Sequence, residues 1–274
     1  MFVSTRDGPY ELYAAKKDGS DQHRLTKDHG DASTSRGLRY QIDPAWSPDG
    51  KRIAFASSRA GRFHLFVVDA SGKKTKRLTA GENEDTHPSW SPDGTRIAFT
   101  RGAPNGIEVM NADGTGLHRL TSGLAEEADP AWSPSGRWIA YDRRIPGTTI
   151  DEIWIAHPDG SASRPVTKLN AVSITPTWSP DSRRIAFSSN ARRGRYNLYS
   201  IGVGGTGLQN ESDAPSDEFE PAWSPDGKSI AFSRDGAIVV VPVGEGVESI
   251  ITDPKNNDSS PAWNPVQAVK AKGY

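Results

Sequence analysis

Carboxylate side chains recur at two fixed positions relative to a Pro-x-Trp sequence that is repeated along the chain. The residues directly before the proline are Asp43, His87, Asp129, Thr175, Glu220 and Ser260, and the residues three before it are Gln41, Asp85, Glu127, Ser173, Glu218 and Asp258. Acidic groups that converge can bind a basic peptide or Ca²⁺, or take part in acid–base catalysis. His87 could act as a general base beside Asp85, but a polar residue satisfied by hydrogen bonds is the simpler interpretation.

Arginine recurs at a second fixed place, after the apolar run that follows most of the Pro-x-Trp copies. The series consists of Arg6, Arg59, Arg101, Arg143 and Arg234, with Asn190 at the corresponding place in one repeat. Two interpretations stay open. Each planar guanidinium could hold a carboxylate of its own or a neighbouring repeat as fixed scaffolding, or the acids and arginines could together form a polar funnel that binds a peptide or a cation.

The sequence contains few features of an assembled catalytic site. It has no cysteine, no Gly-x-Ser-x-Gly elbow and no His-Glu-x-x-His zinc pair. The glycine-rich segment 202–207 matches the dinucleotide fingerprint, but it lies in a predicted strand-to-strand hairpin with no helix behind it, so we interpret the match as accidental.

A sequence repeat determines the elements that must position these residues. Its fullest form is Pro-x-Trp-Ser-Pro-Asp-Gly, as at 44–50, 88–94 and 221–227, and a worn copy lies at 261–265. The tryptophans recur 40–46 residues apart, at Trp46, Trp90, Trp132, Trp178, Trp223 and Trp263. That period suits four short strands per unit, with Ser-Pro-Asp-Gly as the tight turn between the first two. We call these strands A to D.

Six such units predict an all-β fold, a six-bladed β-propeller of four-stranded antiparallel blades. The chain begins and ends inside a blade, so we expect a single domain over 1–274 whose closing blade is shared by about 1–26 and 258–265. Strand B of that blade begins only at Phe2 and lacks the Ile-Ala that opens it in the other repeats. We interpret this as a chain that was cut from a longer protein or as a chain that itself starts late. The tail at 266–274 is then expected to cover the gap, chiefly with Ala268–Lys272, or to fray.

In such a ring, all six inner strands enter at one mouth of the central channel, and the loops after strand B reach the same end. The predicted binding site at this mouth consists of Asp43, Asp85, His87, Glu127, Asp129, Glu218, Glu220, Arg59, Arg101, Arg143 and Arg234. Crowded carboxylates cost stability unless something neutralises them. No contiguous calcium loop is present, so we predict no cofactor and leave Ca²⁺ as an open option.

Composition narrows the classes of partner. The chain has 274 residues with 33 Lys and Arg against 34 Asp and Glu, which argues against a nucleic-acid binder. The basic clusters at 73–77 and 192–195 are best interpreted as solvated loops. No apolar stretch approaches the roughly 18 residues of a membrane span, and no signal peptide opens the chain. We expect a monomer, either cytosolic or the mature form of an exported protein.

The repeated Pro-x-Trp-Ser-Pro-Asp-Gly sequence resembles the TolB-like six-bladed propeller family, whose WD40-like repeat is called PD40. The resemblance implies a periplasmic or secreted bacterial context and a propeller that holds a protein partner. Related propellers stand before serine peptidases as substrate filters. Two departures from the pattern are Gln209–Ser212, where Arg-Leu-Thr is expected, and the missing Asp-Gly turn at Val266-Gln267.

We therefore predict a non-catalytic protein- or peptide-binding scaffold that uses the acidic mouth, because a fold of this kind hosts many functions and no catalytic set is assembled in the sequence. Two alternatives stay open. One is a metal-assisted lyase or hydrolase that acts in the central funnel, and the other is a sensor or substrate-filter domain of a larger protein.

Overall fold

The computed structural model describes residues 1–27, 40–102, 105–121, 125–192, 194–244 and 246–266. The predicted covering tail Ala268–Lys272 and the residue Arg193 lie outside these ranges. The described chain consists of short antiparallel strands and one 3₁₀ helix, Pro254–Asn256. The first three strands are β1 (Phe2–Ser4), β2 (Glu11–Ala14) and β3 (His23–Arg24), and they pair in the order β1-β2-β3.

Five four-stranded sheets follow in chain order, each with its strands paired in sequence. Blade one consists of β4 (Gln41–Trp46), β5 (Arg52–Ala60), β6 (Arg62–Asp69) and β7 (Thr75–Arg77); blade two of β8 (Asp85–Trp90), β9 (Arg96–Arg101), β10 (Gly106–Asn111) and β11 (His118–Arg119); blade three of β12 (Glu127–Trp132), β13 (Ile139–Arg144), β14 (Asp151–Ala156) and β15 (Arg164–Pro165); blade four of β16 (Ser173–Trp178), β17 (Arg184–Arg192), β18 (Arg195–Gly202) and β19 (Gln209–Asn210); and blade five of β20 (Glu218–Trp223), β21 (Ser229–Arg234), β22 (Ala237–Pro242) and β23 (Ser249–Ile250).

The Ser-Pro-Asp-Gly sequence forms the turn between strands A and B. In blade one the Ser47 hydroxyl donates to Asp49 Oδ1 at 2.6 Å, and the Lys51 amide donates to the same oxygen at 3.1 Å. Gly50 has a φ of 64°, which glycine adopts without steric cost. The turn therefore fixes where strand A ends and strand B begins.

Blade six joins the two ends of the chain. The Val3 amide donates to the Ser259 carbonyl at 2.8 Å, and the Ser259 amide donates to the Val3 carbonyl at 3.0 Å. Met1 and Ala262 are joined by a second pair of hydrogen bonds. The segment around Ser259 thus takes the place of strand A beside β1, which closes six blades into a ring and confirms the predicted fold class.

The core lies between neighbouring blades. One cluster joins Ala54 and Leu65 of blade one to Trp90, Ile97 and Phe99 of blade two, and the corresponding residues of the other blades form similar clusters. The Trp90 indole also donates to the Ala45 carbonyl of the preceding blade at 3.2 Å. Burial of these side chains therefore holds adjacent blades together and keeps the mouth of the ring rigid. In the described ranges, no helix has the length and apolar character needed to cross a membrane.

Candidate functional site: the mouth of the central channel

Strand A of blades one to five is interrupted by a bulge directly before its proline. In blade one the pairing register with β5 shifts between Ile42 and Ala45. All six residues before the prolines have a positive φ, at Asp43 (52°), His87 (51°), Asp129 (52°), Thr175 (54°), Glu220 (56°) and Ser260 (48°). A non-glycine residue in this region is uncommon, and a β-branched one such as Thr175 is a genuine outlier. Strain that recurs in every blade indicates that the bulge has a role in aiming these side chains.

The bulge brings the six pre-proline residues around one cavity of about 140 Å³. The cavity is lined by Asp43, His87, Asp129, Thr175, Glu220 and Ser260, together with the six prolines that follow them. Acids stand on blades one, three and five, and hydrogen-bonding neutral side chains or the histidine stand on the blades between them. We call this set of twelve residues the channel mouth.

His87 bridges two of the acids at the channel mouth. Its Nδ1 lies 3.2 Å from Asp129 Oδ1, and its Nε2 lies 3.5 Å from Asp43 Oδ2. Burial lowers the pKa of His87, but the carboxylates of Asp129, Asp43 and Glu220 together raise it, with a net result above the ordinary 6.5. The geometry therefore favours a protonated imidazole between the two acids.

The remaining acid, Glu220, is held by neutral donors. Its carboxylate accepts from the Ser260 amide at 2.7 Å, the Ser260 hydroxyl at 3.0 Å and the Ser233 hydroxyl at 3.2 Å. Burial raises the pKa of Asp43, the nearby Glu220 and Asp129 carboxylates add to the rise, and the charge of His87 opposes it. The channel mouth thus concentrates negative charge that one histidine only partly balances.

Asp142 extends the acidic group below the channel mouth, and our sequence reasoning missed it. It occupies the strand B position held by Ala56, Thr100, Ser188 and Ser233 in blades one, two, four and five. Burial and the hydrogen-bonded carboxyl of Asp129 raise the pKa of Asp142 well above 3.8. An acid at a position that is small and uncharged in the other blades was the signal that could have found it.

The acids three residues before the prolines lie elsewhere. Asp85, Glu127, Glu218 and Asp258 are buried, and none of them lines the cavity formed by the described residues. Each pairs with an arginine of its own blade: Asp85 with Arg101 (2.6 Å), Glu127 with Arg143 (3.7 Å), Glu218 with Arg234 (3.2 Å) and Asp258 with Arg6 (2.8 Å). These distances favour the scaffolding interpretation of the arginine series.

Two details differ from the expected geometry. In blade one Ser57 lies opposite Gln41, and Arg59 follows two positions later because β5 is longer. The Arg59 guanidinium stacks 4.7 Å from the Phe66 ring centroid. The bulge turns His87 toward Asp43 and Asp129, while Asp85 holds Arg101 and approaches His64. These contacts favour the simpler interpretation of His87 as a polar residue satisfied by its neighbours over a general base beside Asp85.

Within the described ranges, no group of three or more histidine and carboxylate side chains is placed to hold a metal ion. The Ca²⁺ suggested by the sequence stays an untested option. The arrangement of the channel mouth is better suited to a cationic group that can be reached by hydrogen bonds and ion pairs from Asp43, Asp129 and Glu220.

Comparisons with known proteins agree with the repeat. The family described as PD40, the TolB beta propeller domain, matches residues 33–150 and 148–269. The chain is 36% identical over 67 residues to the Tol-Pal system protein TolB of Desulfosudis oleivorans, which covers 24% of this chain and 13% of that protein. It is also 36% identical over 55 residues to the uncharacterized peptidase YuxL of Bacillus subtilis, covering 20% of this chain and 8% of that one. The matched segments are thus short parts of these longer relatives.

Solved structures share the fold. TolB from Acinetobacter baumannii superposes with a TM-score of 0.81 at 20% identity, covering 96% of this chain and 65% of that one. An oligogalacturonate lyase in complex with manganese superposes with a TM-score of 0.55 at 15% identity, covering 75% of this chain and 60% of that one. At these identities the likeness concerns architecture. Because the PD40 match spans nearly the whole ring, the chain belongs to the TolB β-propeller family.

Proposed function

We propose that this propeller is a binding module that takes a basic side chain of a protein or peptide partner at the channel mouth. The observation that carries the proposal is the arrangement of Asp43, Asp129 and Glu220 around one cavity without a lysine or arginine ion pair among the described residues. The buried acids three residues before the prolines, such as Asp85, Glu218 and Asp258, are paired with arginine, whereas the acids of the channel mouth are left for a partner to neutralise.

The size of the cavity supports a single side chain as the inserted group. A volume of about 140 Å³ is below the roughly 300 Å³ at which pockets for whole small molecules begin. A lysine or arginine side chain fits this scale, and its charge can reach acids on three blades. The rest of the partner would then lie on the loops around the channel mouth, which the rigid blades present.

The proposal is tested with a matched pair of peptides. The probe is acetyl-Gly-Gly-Arg-Gly-Gly-amide, and its control carries citrulline, which has a similar shape but no charge. We expect the arginine peptide to bind more tightly, and the triple variant Asp43→Asn, Asp129→Asn and Glu220→Gln to weaken that binding about tenfold or more, a loss of about 1.4 kcal/mol or more. Calorimetric titration measures both.

A charge-matched control variant separates the channel mouth from general electrostatics. Glu82→Gln, Glu84→Gln and Glu126→Gln remove the same charge from exposed positions, and we expect binding close to that of the original protein. The proposal is overturned if the citrulline peptide binds as well as the arginine peptide, if the mouth triple variant keeps full affinity, or if both triple variants lose it equally.

Catalysis is the competing function, and the fold likeness to an oligogalacturonate lyase is the observation that favours it. That function requires a metal and an acid–base pair in the funnel. Mn²⁺ titration followed by calorimetry, together with an assay for unsaturated products from oligogalacturonate, distinguishes the two. Stoichiometric Mn²⁺ binding with product formation would replace the binding module by an enzyme.

A further inference from the structure

Asp142 is a buried acid that lies against another acid. It is 6% exposed, its side chain is hydrogen-bonded to the carboxyl of Asp129, and its Oδ1 has no hydrogen-bond partner among the described residues. Arg144, two residues further along strand B, is engaged instead by Asp151 and by Glu126, each at 3.0 Å. Within the described ranges, Asp142 therefore has an acid and not a cation as its closest charged neighbour.

The other blades show what a side chain at this position does. In the pairing of strands A and B, Asp142 corresponds to Ser188 of blade four and to Ser233 of blade five. The Ser233 hydroxyl donates at 3.2 Å to Glu220, which is the acid of the channel mouth in its own blade. Asp142 stands in the same relation to Asp129. A position that donates a hydrogen bond to an acid in blade five is thus occupied by a second acid in blade three.

A hydrogen bond between two carboxyl groups requires a proton on one of them, because an ionised carboxylate only accepts. Asp129 and Asp142, which we call the acid pair, therefore share one proton and carry a single negative charge together. The electrostatic surroundings agree with this geometry. Burial, followed by the carboxyls of Asp129 and Asp151, raises the pKa of Asp142 well above 3.8, against the Thr175 amide, which lowers it.

The acid pair connects the cavity to a buried proton. Asp129 lines the cavity of the channel mouth and Asp142 does not, so a cation in the cavity reaches Asp142 through Asp129. The titratable and charged groups that face the acid pair are Asp151 and Arg144 of blade three, His87 of blade two and Asp43 of blade one. Because Arg144 is already engaged, a cation brought by a partner is the group that can replace the shared proton.

We propose that the channel mouth binds the cationic group of its partner in exchange for the proton of the acid pair. This inference rests on the function proposed above and adds its regulation by pH. The proton leaves the Asp142 carboxyl for the solvent, and the cation takes over the neutralisation of the second carboxylate, so the net charge of the buried group does not change. Binding that releases a proton strengthens as the pH rises, because the two equilibria are linked.

The test counts protons during calorimetric titration with acetyl-Gly-Gly-Arg-Gly-Gly-amide in two buffers of different ionisation enthalpy. Arginine keeps its charge throughout, so any proton released on binding comes from the protein. Asp142→Asn retains a donor to Asp129 and should still bind the peptide. Between pH 5.5 and 8 we expect this variant to release fewer protons than the original protein, with a maximum difference of about half a proton or more, and its affinity to rise less steeply with pH.

Two further variants complete the design. Asp235→Asn is the matched control, because it removes an exposed carboxylate from the loop after strand B of blade five, and it should release as many protons as the original protein. Asp142→Ser introduces the residue that blades four and five carry at this position. It should lose proton release as Asp142→Asn does, and it keeps the test decisive if the asparagine variant does not fold.

The outcomes separate this inference from the function on which it rests. Equal proton release by the original protein and the Asp142 variants overturns the exchange and leaves binding at the channel mouth intact, whereas a peptide that does not bind the original protein overturns both. Infrared spectroscopy gives a readout on the free protein: the carbonyl band of a protonated carboxyl should be present at pH 7, decrease when the peptide is added, and be missing from Asp142→Asn. Absence of a band that depends on Asp142 also contradicts the proposal.

Discussion

His87 is the residue at which the charge of the channel mouth can be switched. Its imidazole lies within 3.5 Å of both Asp43 and Asp129, and these carboxylates, with Glu220, raise its pKa above 6.5 despite its burial. When His87 is protonated, it neutralises part of the mouth and competes with an incoming basic group. When it is neutral, all three carboxylates are available to a partner.

The raised pKa of His87 predicts a pH dependence of stability. A histidine whose folded pKa exceeds its unfolded value contributes stability that is fully present below about pH 6.5 and is lost as the pH rises through the folded pKa. Melting temperatures of the protein and of His87→Gln should therefore differ most below pH 6.5 and converge above the folded pKa. Thermal melts from pH 5.5 to 9 measure this, and NMR titration of the imidazole gives the pKa directly.

The opposite trend would contradict this assignment. If the advantage of the original protein over His87→Gln grew with pH, or if the imidazole titrated below 6.5, burial would outweigh the carboxylates. His118→Gln is the matched control, because His118 is exposed on a strand D and should leave the pH profile unchanged.

At the scale of the element, the A–B hairpin places acids in two different environments, the cavity of the channel mouth and the ion pairs with arginine. The bulge sends the residue before the proline into the cavity, while the residue three before the proline stays in register with the end of strand B. Asp85 and Arg101 form such a pair, with Nε–Oδ1 and Nη2–Oδ2 distances of 2.6 and 3.0 Å. The bidentate pair therefore fixes the hairpin on which the mouth residue stands.

Removal of the guanidinium should expose the structural role of this pair. Arg101→Met leaves the fully buried carboxylate of Asp85 without its ion-pair partner, and we expect the free energy of unfolding to fall by about 3–5 kcal/mol. Arg62→Met is the control, because the Arg62–Glu82 pair is 3.9 Å long and exposed, and it should cost less than about 1 kcal/mol. Urea denaturation measures both, and equal losses would refute the scaffolding role.

At the scale of the whole molecule, the ring depends on contacts between residues about 250 positions apart. Val3 pairs with Ser259, and Arg6 holds Asp258 at 2.8 Å. The Trp263 indole, 41 positions from Ala222, donates to the Ala222 carbonyl at 2.9 Å and joins blade six to blade five. These contacts remove the exposed edges that an open array of blades would present. Closure also brings Ser260 next to Glu220, which completes the channel mouth.

Deletion of 258–274 should therefore abolish cooperative unfolding, because blade six would lose its inner strand and Arg6 its partner. Deletion of 267–274 is the matched comparison: it retains Ser259 and Trp263, and we expect it to unfold in one sharp transition. Scanning calorimetry distinguishes these outcomes. If the protein that lacks 258–274 melts as sharply as the intact chain and at the same temperature, closure by these contacts is refuted.

The repeated sequence determines the number of blades and the series of residues that stands at each strand entry. Proline, aspartate and glycine set the A–B turn through local backbone preferences, and the apolar run after the turn has the pattern of a buried strand. These are short-range effects, so the six-bladed ring and the grouping of Asp43, His87, Asp129 and Glu220 could be predicted from spacing.

Only the tertiary structure decided which acids face the cavity. A bulge of one residue reverses the side-chain alternation, and the sequence spacing does not reveal it, so Asp85 and Glu218 could not be separated from Asp43 and Glu220 in advance. The approach of Asp142 to Asp129 depends on the bulge within blade three. The raised pKa of His87 depends on its distances to carboxylates of blades one, three and five. Charges interact through space, and closure of the ring sets those distances.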